Sequence, residues 1–183
     1  MAGIDVHIRG TAAIACAVLV RFPDLSLIET PTREEPVTFP YVPGYLAFRE
    51  LSAVHKVVSA LRVKPDAVLV DGHGIARPRR FGLACHLGVL LDLATVGCAK
   101  SMLVGTHGNL SPEWGSSIPL MRKGQQIGTV LRTRANVTPV YVSVEHRVAL
   151  NSAETLIKQC ITRYRIPEPL RSAHSAARLL ALA

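Results

Sequence analysis

The chain has 183 residues, 49% of them hydrophobic and 19% charged. That is enough for one domain with a real core, too few for two ordinary domains, and too apolar for a disordered chain. The formal net charge of +8, with a pI ≈ 9.8, favours a polyanionic partner such as nucleic acid or an anionic membrane surface.

Residues 1–10 lack the basic start and apolar run of a signal peptide. Residues 3–9 read as a short strand carrying Asp5, and residues 11–21, TAAIACAVLVR, as a second. Phe22-Pro23-Asp24 turns the chain into a third strand over 25–30. Short turns make these three strands antiparallel. Residues 30–43 hold four prolines without periodicity and read as an extended loop. From Tyr45, apolar residues at 46, 48, 51, 54, 57, 58 and 61 recur at helical spacing, and that helix should end before Pro65. Residues 67–70, Ala-Val-Leu-Val, are short and wholly apolar, as a buried parallel strand is. A second helix is expected over about 82–91 and a fifth strand over 94–99. Residues 87–96 are the longest apolar run, broken by Asp92 and too short to span a bilayer. Residues 129–133 and 137–143 look like a peripheral hairpin. A helix capped by Asn151 runs to about Tyr164, and a weakly amphipathic one occupies 172–183. The expected domain is α/β, a mixed central sheet of three antiparallel strands followed by parallel ones, flanked by helices. That strand order is shared with the ribonuclease H-like fold.

Cys16, Cys85, Cys98 and Cys160 are scattered, with no CxxC pair. Reduced, buried thiols in a soluble cytoplasmic protein fit this usage better than a zinc site or a disulfide framework.

Most of the thirteen acids have ordinary places: Asp24 in a turn, Glu34 and Glu35 in the loop, Glu154 on a helix surface. Three do not. Asp5 interrupts the first strand, Asp71 ends the central one, and Glu50 lies one turn into the first helix. Acids at strand ends in open α/β sheets face the crevice where ligands bind. If the first and fourth strands are neighbours, Asp5 and Asp71 lie side by side and the helix can bring Glu50 over them. Carboxylates so close repel one another and take up protons unless a cation holds them. An all-oxygen set suits Mg²⁺ or Mn²⁺. Spacing alone equally allows Asp5 and Asp71 to cap turns and Glu50 to be solvated. Gly72 and Gly74, around His73, allow a close backbone approach to something flat, or a tight turn with positive φ. Arg77-Pro78-Arg79-Arg80 then suits phosphate contacts, or is a solvated basic loop.

The segments FPYVPGYLAFRE (39–50), VDGHG (70–74) and TVGCAKSML (95–103) resemble the endonuclease V family, the deoxyinosine 3′-endonucleases. GIDV (3–6), HRV (146–148) and YRIPEPLR (164–171) follow the same order as in that family. The resemblance runs from Gly3 to about Ala173. It implies a ribonuclease H-like fold and an Mg²⁺-dependent nuclease, with Mn²⁺ able to substitute. The family cuts the second phosphodiester 3′ to a hypoxanthine base in DNA, and in some members RNA. It leaves a 3′ hydroxyl and a 5′ phosphate and does not excise the base. Carried across, Asp5, Glu50 and Asp71 are the metal-binding carboxylates. His146 matches a histidine near the metal that orients or shuttles a proton to the attacking water, and Lys100 a lysine near the scissile phosphate. Tyr41 matches the wedge that fills the gap left by the displaced base, and Gly44, Leu46, Gly72 and Gly74 would line its pocket. Arg77 would contact phosphate.

The chain departs from the family at three places. Arg77 stands where a histidine is usual, Glu145 replaces the glycine before His146, and the helix that commonly precedes the first strand is absent. Residues 1–183 therefore read as a single nuclease domain without that helix, expected to be a monomer with no membrane partner. Another ribonuclease H-like nuclease is a competing reading, against which the PYVPG wedge argues. An inosine-binding module that has lost cleavage is a further one, against which three mutually repelling acids argue.

Overall fold

The first two expected strands form and pair. In the computed structural model, which describes residues 1–182 apart from the side chain of Glu145, β1 (Ala2–Arg9) lies antiparallel to β2 (Ala12–Val20). Beyond β2 come β3 (Leu27–Glu29) and β4 (Thr32–Pro36), both paired with it. Then follow α1 (Leu46–Ser59), β5 (Ala67–Val70), α2 (Leu83–Leu91), β6 (Ala94–Ala99), β7 (Ser117–Arg122), β8 (Gln125–Leu131), β9 (Val140–His146), α3 (Leu150–Gln159) and α4 (Glu168–Leu182). One mixed sheet results, ordered β3-β2-β1-β5-β6-β9-β8-β7, with β4 also on β2. The pairs β1–β5 and β5–β6 are parallel and the others antiparallel.

Strand periodicity divides the core in two. Along β2, Ala13, Ala15 and Ala17 face one side, while Cys16, Val18 and Val20 face the other, because successive side chains alternate. The alanines leave room for α1, which buries Ala47, Ala53, Val54, Val57 and Val58. Leu83, Ala84 and Leu87 of α2 complete that layer. On the opposite side α3 and α4 contribute Ala153, Ile157, Leu170, Ala173 and Ala177. All four cysteines are buried and none is in a disulfide, as expected from their spacing. No helix of the described residues is long and apolar enough to cross a membrane.

Four expectations are corrected. Residues 30–43 are not all loop, because residues 32–36 form β4 against β2; its last residue, Pro36, is tolerated where no ladder N–H is needed. The hairpin is not peripheral, because β9 pairs with β6 and so continues the main sheet. The strand β7 was not foreseen. Pro119 hides it, yet it closes on β8 through Lys123-Gly124, both at positive φ (49° and 74°), a two-residue hairpin turn. Finally, Asn151 does not cap α3; the cap position is Ala149, and Asn151 Oδ1 accepts a 2.8 Å bond from the Ser152 amide inside the first turn. That helix also stops at Gln159, short of Tyr164. The amide of Glu168 then donates to the Cys160 carbonyl at 2.8 Å, starting α4 earlier than expected. The expected end of that helix at Ala183, and the charge of Glu145, lie outside the described residues.

Candidate metal centre

Parallel pairing of β1 with β5 sets Ile4 opposite Val70, and the Asp71 amide donates to the Ile4 carbonyl at 3.1 Å. The next residue on each strand is an aspartate. Asp5 and Asp71 thus stand on neighbouring strands, whose spacing is about 4.8 Å.

A third group arrives from α4. Gly3 shares a face of β1 with Asp5, and a Cβ at Gly3 would lie 2.5 Å from the Pro169 carbonyl oxygen and 2.6 Å from the Leu170 nitrogen. Only a bare backbone lets the start of α4 press so close. From there helix and strand run side by side. Five helical residues rise about 7.5 Å while two strand residues rise about 6.6 Å, so His174 comes level with Asp5. Its Nδ1 is 2.6 Å from Asp5 Oδ2. One ligand atom from each of Asp5, Asp71 and His174 can be chosen so that all lie within 4.8 Å of one another.

Glu50 approaches from α1. Burial is the main force raising its carboxyl to about 7, with the charges of Asp5 and Asp71 adding and those of Arg77 and Arg49 opposing. Burial and then the charge of Asp71 also push Asp5 above the usual carboxylate range, against His174 and Lys100. Lys100, just past the end of β6, forms an ion pair with Asp71. Its carbonyl accepts a 2.8 Å bond from Arg165 Nη2. These three acids, with one imidazole, form an oxygen-rich donor set of the kind a hard divalent cation occupies.

His146 is not part of this group. It is level with Thr95, at the start of β6, whereas Asp71 follows the end of β5. Its Nε2 instead meets Asp92 Oδ1 at 2.8 Å, at the C-terminal end of α2. Antiparallel β9 carries its last residue away from the acids, so the sequence expectation for His146 is corrected. The histidine beside the acids is His174. No short motif marks it; its only trace in sequence is the paired spacing of Gly3 to Asp5 and Pro169 to His174.

Tyr41 is 69% exposed, with the Arg49 guanidinium carbon 5.7 Å from its ring centroid. Leu46 opens α1 half-buried, one turn before Glu50. Gly44 (φ +86°) and Gly72 (φ +148°) both have open space where a Cβ would stand. Gly74 differs, being buried with its amide donating to Ser143 Oγ at 3.0 Å. It fixes the turn and does not line open space. A Cβ at Gly97 would meet Gly72 O at 2.8 Å and Gly74 N at 2.9 Å, so the turn lies flat on β6. Beneath it His73 is 7% exposed, and burial, then Arg77, lower its pKa to about 4. The Arg77 Nε is itself buried without a hydrogen-bond partner.

An acid within β1 beside one just past the end of β5, on a sheet of this order and joined by a helix acid and a lysine, defines a nuclease of the ribonuclease H-like class. The chain belongs to the endonuclease V family, whose description, Endonuclease V, matches residues 1–175. The endonuclease V of Roseiflexus castenholzii is 48% identical over 177 residues, covering 97% of this chain and 80% of that one. The crystal structure of endonuclease V from Streptomyces avermitilis superposes with a TM-score of 0.95 at 40% identity, covering 98% of this chain and 80% of that one. Endonuclease V of Ciona intestinalis, solved in complex with a 24mer DNA containing an inosine followed by a ribo-adenosine, gives 0.84 at 28% identity, covering 98% and 84%.

Proposed function

We propose that the protein is a Mg²⁺-dependent endonuclease that recognises inosine in a nucleic-acid strand and hydrolyses the second phosphodiester on its 3′ side. The products are a 3′ hydroxyl and a 5′ phosphate, and the role is repair of deaminated adenine. The observation that carries this reading is the gathering of Asp5 of β1, Asp71 after β5 and His174 of α4 in a chain of the endonuclease V family. The inosine-containing DNA held by the Ciona relative supports the substrate.

Asp5, Asp71 and Glu50, with His174, would hold the cation, and Mn²⁺ would serve in its place. When bound, such a cation supplies Lewis-acid polarisation of the phosphodiester and neutralises developing charge. Lys100 and Arg77 offer positive charge to the phosphate oxygens. Tyr41 stacks in the gap left by the displaced base, offsetting part of the few kcal/mol or so of unstacking. The open backbone at Gly44 and Gly72 admits a planar base, with Leu46 as an apolar wall. Four cysteines without a disulfide among them fit a cytoplasmic setting.

The test is incubation of end-labelled strands bearing one inosine, as single- and double-stranded DNA and as RNA, with and without Mg²⁺. One cut at the second phosphodiester 3′ to inosine, dependent on the cation and absent in Asp71→Ala, is expected. Cleavage of inosine-free strands at the same rate would sink the reading.

A further inference from the structure

One aromatic cluster has no part in these roles. Phe48 of α1 and Phe81, just before α2, flank His86, their ring centroids 4.9 and 4.3 Å from its own. Phe39 stacks on Phe48 at 5.3 Å, the rings inclined by 26°. Packed rings of this kind are ordinarily covered, yet Phe48 is 46% and Phe81 48% exposed. A contiguous exposed apolar patch marks a surface that meets something.

The charge around the patch says what it meets. Residues 36–49 and 72–91, which supply all these rings, contain four arginines and no aspartate or glutamate. The Arg79 guanidinium carbon lies 3.9 Å from the centroid of Tyr45, whose ring is 5.8 Å from that of Phe48. The charge of Arg77 acts on both Glu50 and His86, so the patch begins one guanidinium away from the acids. A partner must therefore bring flat apolar faces and negative charge together. Single-stranded nucleic acid does both, since every base has a π-face and every linkage a phosphate.

We propose that Phe81, braced by His86 and Phe48, is a stacking platform for an unpaired base of the bound strand other than the inosine. The inference rests on the nuclease reading, and it makes the enzyme grip a second base along the strand. Because stacking is indifferent to base identity, the platform adds affinity without adding sequence preference.

The test uses the full chain and a fluorescent single-stranded DNA with one inosine, with Ca²⁺ as the cation probe, read by anisotropy. A series of strands replaces each neighbour of the inosine, in turn, by an abasic nucleotide. Wild type should lose affinity at one of these positions. Phe81→Ala should weaken binding of the intact strand roughly five- to 150-fold and no longer respond to that abasic position. Phe81→Trp should bind as wild type does. Phe81→Leu, which keeps apolar bulk without a π-face, should resemble Phe81→Ala. Melting temperatures of the variants check that the fold is kept, and Leu against Trp decides the matter if alanine unfolds the chain. Wild-type affinity in Phe81→Leu, or an unchanged abasic penalty in Phe81→Ala, would overturn the platform. Loss of inosine preference in wild type would instead count against the function, while the dependence on Phe81 would stand. Failure of wild type to bind single strands at all would defeat both.

Discussion

Gly3→Ala tests whether the packing of α4 on β1 builds the metal centre. The added methyl carbon would sit 2.3 Å from the Pro169 carbonyl carbon, where ordinary contact starts at 3.4 Å. The first turn of α4 must therefore retreat by about 1.1 Å, the difference of those two distances. The obstacle is backbone, so no side chain can swing aside. Overpacking of this kind costs about 1–3 kcal/mol, and in a chain of this size the melting temperature should fall by roughly 2–12 °C. The same retreat carries His174 away from Asp5. A misplacement near 1 Å at reacting groups costs on the order of a hundredfold in rate. Thermal unfolding and single-turnover cleavage of an inosine strand at saturating Mg²⁺, well below the melting temperature, measure the two effects. Gly10→Ala is the control. It introduces strain at φ +57° in the β1–β2 turn, with open space around it and no helix against it, so stability should fall by about 1 kcal/mol with the rate kept. If Gly3→Ala melts and cleaves like wild type, the argument from Gly3 to His174 is wrong.

Removing the imidazole directly, His174→Ala should lower Mn²⁺ affinity by about 10–100-fold, read by titration; equal affinity would remove it from the metal set. Tyr41→Ala should weaken binding to inosine in duplex DNA by about 1–3 kcal/mol and much less in single strands, and equal losses on both would contradict a wedge. Arg77→His should raise the single-turnover rate and reduce the salt dependence of binding by roughly one phosphate contact; an unchanged rate and slope would refute a phosphate role. Burial lifts Cys16 to about 11 and Cys160 to about 12, against an ordinary 9.0. The native protein should therefore resist thiol reagents at pH 9 and expose four thiols once unfolded. The unfolded chain releases these protons first, so stability should decline as pH rises from about 9 towards 11, and a flat profile would contradict the burial.

The central strand β5 was legible because it is a short apolar run bounded by breakers, Pro65 before it and Gly72 after it. Whether β1 lay beside it, bringing Asp5 to Asp71 and Glu50 over both, spacing alone left open. What escaped was information carried by packing between distant segments. The strands β4 and β7 contain prolines and sit towards sheet edges, where alternation fades. Lys123-Gly124 was a usable turn signal that went unread. His146 was assigned from the resemblance of HRV alone, and nothing local states that β9 runs antiparallel to β6 and so sets it beside Thr95. His174 depends on how a glycine on one strand receives a helix from the other end of the chain.

That last contact also has a temporal meaning. Asp5 and His174 are separated by 169 positions, and a growing chain emerges from its N-terminal end. Both aspartates and Glu50 are made early, but the imidazole follows only when nearly all the polypeptide has been synthesised. A fragment arrested at any earlier codon carries acids without their fourth partner, and it also lacks the helix that covers one side of β1. On the proposed reading, the four groups can meet around a cation only once the chain is nearly complete.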